Sequence, residues 1–325
     1  MEDMSLFDRF HAAFEEAPPR GAFERLQSDL IKHSAARRAR PAFHMRWSRM
    51  SLRLTAAVAV VVIAIALVAA YIAAQRPTVG GMPAGYSVAA YQSMVQANYS
   101  VWGSTPFNCH TVADSSCATD LASNQAILLK WRNELDSFRT PNQFAVIDAQ
   151  MRKHLDAMLQ KLGISATAVN SNNQNLFDSA LFYGRIDVTW LDHAAQGIAS
   201  SHVATSGQYI ALVQAERATF MNNGCSSCQQ DATLGDCGTI GDPICPHDVT
   251  TDSDFLGLMQ ADFAKTAAPA EFSDQSSTLQ IDLAQADNAL MAADNALLQN
   301  DSVAFKSARA AYLDAMTAVS ADLQS

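Results

Sequence analysis

The chain uses one pattern twice. Cys109–Cys117 reads CHTVADSSC and Cys237–Cys245 reads CGTIGDPIC, both of the form C-x-T-[VI]-x-D-x-x-C, 128 positions apart. The same offset relates Asp120-Leu121 to Asp248-Val249 and the pair Pro141 and Phe144 to Pro269 and Phe272. It also relates Asn172-Asn173, Phe177, Ser179 and Ala180 to Asn300-Asp301, Phe305, Ser307 and Ala308. Upstream of the cysteines the offset is 118: Tyr91 and Val95-Gln96-Ala97 answer Tyr209 and Val213-Gln214-Ala215. The second copy therefore carries ten extra residues, around Cys225 and Cys228. Offsets held over separate segments point to tandem duplication of one supersecondary unit.

Each copy reads as four helices, and the fold class expected is all-α. In the first copy they cover about 86–103, 119–138, 142–163 and 173–200; in the second, about 204–222, 251–266, 270–298 and 302–323. The fourth helix of copy one carries Phe177, Leu181, Gly184, Val188, Leu191, Ala195 and Ile198. Its counterpart carries Phe305, Ala308, Tyr312, Met316, Val319 and Leu323, and the third helix of copy two Leu279, Leu283, Ala286, Leu290, Ala293 and Leu297. Steps of three and four make a narrow seam, as in a bundle packed at shallow angles. Pro141 and Pro269 fall at helix starts, where a missing N–H costs little. Strand signals are absent.

Ahead of the repeats, Leu54 to Ala74 reads LTAAVAVVVIAIALVAAYIAA, with no charge between Arg53 and Arg76. About 20 apolar residues cross a bilayer, so a transmembrane helix is expected over 53–75. Seven basic residues and no acid lie between Lys32 and Arg53, and only Arg76 follows closely on the other side. The positive-inside rule places the N-terminus in the cytosol and the C-terminal part outside the cytosol, at the cell membrane. All six cysteines lie beyond the span, in the compartment where disulfides persist.

The organisation expected is a cytosolic segment (1–50), the span (53–75), a Pro- and Gly-rich linker (76–85) and two helical repeats (86–202 and 203–325). In the cytosolic segment Leu6, Phe7, Phe10 and Phe14 share one helical face, and after Pro18-Pro19 so do Phe23, Leu26 and Leu30. Two such helices lie on the membrane surface or dock on a cytosolic protein partner. Net charge is −10 overall. Beyond Arg53 there are twelve basic residues against twenty-five acidic ones, which excludes nucleic acid as a partner.

The cysteines carry the sharpest chemistry. Copy one holds only Cys109 and Cys117, so each nine-residue loop must work with its own pair, most simply as a disulfide; Cys237 and Cys245 follow suit. Two thiols are too few for a closed zinc shell. Asp114 and Asp242 are expected to make turn or cap bonds inside the loops. Cys225-Ser-Ser-Cys228 reads as a further disulfide region rather than a redox pair, because no thioredoxin-like strand–helix context surrounds it. No Glu-x-x-His occurs, so a di-iron bundle is not expected. His154 and His193 face Asp282 and Ala321 in the second copy and read as surface or boundary histidines. The aromatics Tyr91, Trp102, Trp131, Phe144, Phe177, Tyr183 and Trp190 read as core. No phosphate loop or nucleophile elbow appears, so no catalytic residue, metal or cofactor is expected.

These features give a single-pass membrane protein whose extracytoplasmic helical domain senses or binds, without enzymatic chemistry; no motif names a ligand. The layout resembles that of single-pass anti-sigma regulators: short cytosolic helices, one span and an extracytoplasmic module. That resemblance implies a regulator acting through residues 1–50. It lacks the H-x3-C-x2-C zinc motif of many such proteins, since no cysteine follows His33 before the span. The other readings are a structural protein of the envelope and a C-x-x-C redox protein.

Overall fold

The computed structural model describes residues 87–220, 237–241 and 245–324, all within one unit. The expected cytosolic segment, span and linker, and Cys225, Cys228 and Asp242, lie outside the described residues. Among the described residues no helix is long and apolar enough to cross a membrane. They form eight α-helices: α1 (Val88–Gly103), α2 (Cys117–Ser137), α3 (Ala145–Asn170), α4 (Gln174–Ala199), α5 (Ser206–Thr219), α6 (Cys245–Lys265), α7 (Ser273–Gln299) and α8 (Ser302–Asp322). Short 3-10 turns at Asn142–Phe144 and Ala270–Phe272 precede α3 and α7.

Most boundaries fall near the positions expected, with two exceptions. Helix α3 runs on past Gly163 to Asn170. Glycine inside a helix costs about 1 kcal/mol, but Leu162, Ser165 and Ala168 on either side of it are buried and hold the helix in place. Helix α6 starts at Cys245, six residues before the expected start, because Pro246 is tolerated in a first turn. Strands do occur: His202–Val203 pairs in parallel with Thr266–Ala267. Two residues each are too few to show a period of two in the sequence.

The α3–α4 and α7–α8 connections are closed alike. Asn172 (φ 50°) and Asn300 (φ 54°) adopt the left-handed conformation, which asparagine tolerates better than most residues. The Asn173 N–H donates to Ala168 O (2.9 Å) and the Asp301 N–H to Ala296 O (2.9 Å), ending each helix in a Schellman turn. Asn173 and Asp301 then cap the next helix: Asn173 Oδ1 accepts from the Leu176 N–H, and Asp301 Oδ1 from Val303 and Ala304. Near the other end, Tyr91 stacks on Phe144 (5.3 Å between centroids) and Tyr209 on Phe272 (5.4 Å).

Two apolar cores result. One gathers Trp102, Trp131, Leu155, Leu162, Phe177 and Leu191, among others; the second gathers Phe263, Leu283, Leu290, Phe305, Tyr312 and Val319. Helix α4 feeds both, with Val188, Leu191 and Ala195 in the first and Tyr183 and Ile186 in the second. It does not present the narrow seam expected of it. From Tyr183 to Asp192 every residue is buried, because α6 and α7 close over the side of α4 that a lone four-helix unit would leave to solvent. Helix α6 approaches α4 closely at Gly197, where a Cβ would stand 2.5 Å from the carbonyl oxygen of Ala261. Gly197→Ala is therefore expected to destabilise the fold by about 1–3 kcal/mol through overpacking, read as a lower urea midpoint with an unchanged m-value.

Candidate functional site

Between the two cores lies a ladder of charge. His154 and Lys161 stand two turns apart on α3; Asp287 and Asp294 stand two turns apart on α7. The helices run parallel and in register, so the four groups meet as two rungs. His154 Nε2 lies 2.9 Å from Asp287 Oδ2, and Lys161 Nζ donates to Asp294 Oδ2 at 2.6 Å. Asp187 of α4 braces both, with Oδ1 2.9 Å from His154 Nδ1 and Oδ2 accepting from Lys161 Nζ at 2.7 Å. Lys161 gives a third hydrogen bond to the Tyr183 carbonyl (2.7 Å). Gln150 Nε2 donates to Asp287 Oδ2 (2.8 Å) and to Ala284 O (2.9 Å). The imidazole of His154 stacks on Trp190, 4.2 Å between centroids and 13° from parallel. His154, Asp187 and Asp287 have no solvent exposure.

The electrostatics follow from the geometry. Both ring nitrogens of His154 face carboxylates, and only the imidazolium donates to both. Burial pulls the imidazole towards its neutral form, but Asp287 and Asp187 outweigh it and hold the pKa up at about 9. Lys161 is likewise lowered by burial and raised further by Asp187 and Asp294, so it stays charged. Burial raises Asp187, but Lys161 and His154 bring it below the usual carboxylate range. Asp294 goes the other way: burial lifts it to about 6 in spite of Lys161. Three carboxyl groups thus share two cations. Asp287 Oδ1, Asp294 Oδ1 and the Tyr183 hydroxyl are buried with no hydrogen-bond partner among the described residues.

His154 is thus not a surface or boundary histidine. Its counterpart Asp282 gave no hint of this, because the ladder lies between the two halves and its groups are not repeated within each. The signal that could have found it is a matched spacing: His154 and Lys161 on one helix, Asp287 and Asp294 on another, seven apart in both. His193 is partly buried and meets Asp254 of α6 at 2.8 Å.

The cysteine loops sit elsewhere. Cys109 and Cys117 stand at disulfide distance with Cα atoms 4.5 Å apart, and Cys237 and Cys245 with theirs 5.0 Å apart. Cys117 and Cys245 open α2 and α6. Asp114 folds the first loop from inside: Oδ2 accepts from the backbone of His110 (2.6 Å) and Thr111 (2.7 Å), which lowers its pKa. The loop is pinned to α4 where Gln174 Oε1 accepts from the Val112 N–H (2.8 Å). The seven aromatics read as core are all buried. No three His, Cys, Asp or Glu side chains are arranged to hold a metal ion among the described residues.

Comparison with protein-family models, curated proteins and solved structures finds no match for this chain. Two outcomes are expected on mutation. Lys161→Met leaves Asp294 buried without a cation and Asp187 with His154 alone, and should cost about 3–5 kcal/mol in urea unfolding. Replacing Cys109 and Cys117 together by alanine should cost roughly 2–3 kcal/mol, and adding reductant to the double variant should have a smaller effect than on the wild type.

Proposed function

We propose that this chain is a single-pass membrane protein that displays a binding or sensing domain outside the cytosol, and that the domain is one four-helix unit used twice. The observation that carries the reading is the state of the cysteine loops. Both described pairs stand at disulfide distance, in an acidic region that follows the apolar run Leu54–Ala74 and its basic flank. Disulfides belong to the oxidising side of a membrane, which agrees with the side assigned by charge.

The duplication is supported by elements that recur at the sequence offset. Helices α2 and α6, the 3-10 turns, and the left-handed residues Asn172 and Asn300 are each related by 128 positions. The helix caps Ser87 and Thr205 are related by 118. A non-enzymatic role suits a site whose buried cations are already engaged by carboxylates and whose imidazole is enclosed in protein. In this reading residues 1–50 meet a cytosolic protein and pass on what the outer domain senses.

Topology tests the proposal directly. Reporters active only in the cytosol, or only after export, would be fused at residue 50 and after Ser325. Cytosolic activity at the first site and exported activity at the second is the expected pattern. The reverse, or cytosolic activity at both, removes the reading.

A further inference from the structure

The ladder does more than join two cores. Two cations and three carboxyl groups are sealed away from water, and their proton content sets the charge of the seam. We infer that His154 and Asp294 form a proton-operated latch between the α3–α4 hairpin and α7: protons on both hold the seam closed, and their loss loosens it. The inference stands on the seam itself and does not depend on the membrane placement.

The geometry gives the latch its parts. His154 reaches both sides of the seam at once, through Nδ1 to Asp187 on α4 and Nε2 to Asp287 on α7. A neutral imidazole keeps one N–H and must turn a lone pair towards the other carboxylate. That contact becomes repulsive, and the burial of all three groups leaves it unscreened by bulk solvent. Asp294 acts on the second rung. When it is ionised the group holds three negative charges against two positive ones; when it is protonated the charges balance.

The groups that face the latch come from three helices: Lys161 on α3, Asp187 and Tyr183 on α4, and Asp287 and Asp294 on α7. Helix α6 packs behind Trp190 through Gly257 and, beside that contact, sets Asp254 against His193 of α4 (2.8 Å).

The signs agree. His154 has a folded-state pKa above its ordinary value, so its contribution is full below about 6.5 and fades as pH rises through about 9. Asp294 is also raised, so the folded state favours its acid form and loses that advantage as pH rises through about 6. Asp187, which is lowered, opposes them only in stronger acid. Glu216, raised to about 7 by burial and by Asp262, lies on α5 and would blur a global melting curve, so the readout must be local.

Hydrogen–deuterium exchange on the full-length chain supplies that readout, with each peptide's rate divided by the intrinsic rate at its pH. Peptides of α3, α4 and α7 should lose roughly tenfold or more of their protection between pH 6 and pH 9, while those of α1 and α2 change little. Asp294→Asn, which keeps the neutral charge at every pH, should retain more protection than the wild type at pH 7.5. His154→Gln should be weakly protected already at pH 6 and respond little to further alkali. If that variant does not fold, the ring nitrogens of His154 in the wild type, followed by NMR, should titrate together with the loss of protection. Equal protection of the wild type at pH 6 and pH 9 overturns the latch. So does a loss of the same size in α1 and α2, or an Asp294→Asn profile that coincides with the wild type.

Discussion

The arrangement depends on Asp187. It is a carboxylate with no solvent exposure, set on a helix that belongs to both cores, and it binds two cations through its two oxygens. Burying a charge without partners costs far more than any single packing contact returns. Once α4 is packed on both sides, Asp187 must therefore find His154 and Lys161. They in turn require Asp287 and Asp294 from α7. A single buried acid thus sets the register of three helices, to within the reach of a hydrogen bond.

Small residues make the burial possible. Gly197 lets the backbones of α4 and α6 approach until a methyl group would not fit, and Gly257 leaves room for Trp190 and His193. This contact seals the first core as well, since Ala264 of α6 is counted among its members. The parallel pair at His202–Val203 and Thr266–Ala267 holds the same two segments together beyond the ends of α4 and α6. Closeness of helices, burial of charge and continuity of the core are here one packing problem with one solution.

Much of this was legible in the sequence, for a physical reason. Local features are encoded locally: Pro141 and Pro269 before their turns, the cysteine loops and the three-four spacing of α7 and α8 all follow from short-range sterics and apolar periodicity. The seam of α4 misled because periodicity assumes one solvent-facing side. A helix wrapped by neighbours buries its polar positions too, and Arg185, Asp187, Thr189 and Asp192 fill them. His154 misled because comparison at a fixed offset of 128 residues reports only what recurs at that offset. The ladder does not recur at that offset: its cations stand on α3, while the positions 128 residues further on, in α7, carry Asp282 and Ala289.

The asparagine turns carry a consequence for the order of assembly. Each closes its hairpin through contacts only a few residues apart in the chain, so α3–α4 and α7–α8 can form early and separately, at small entropic cost. The ladder joins residues more than 130 positions apart. Its closure carries a larger entropic cost than either turn, so dehydration of its five titratable groups is expected to follow the local turns rather than precede them. A chain that stalls there would hold two formed hairpins and still present its most polar surface, open to water and to other chains.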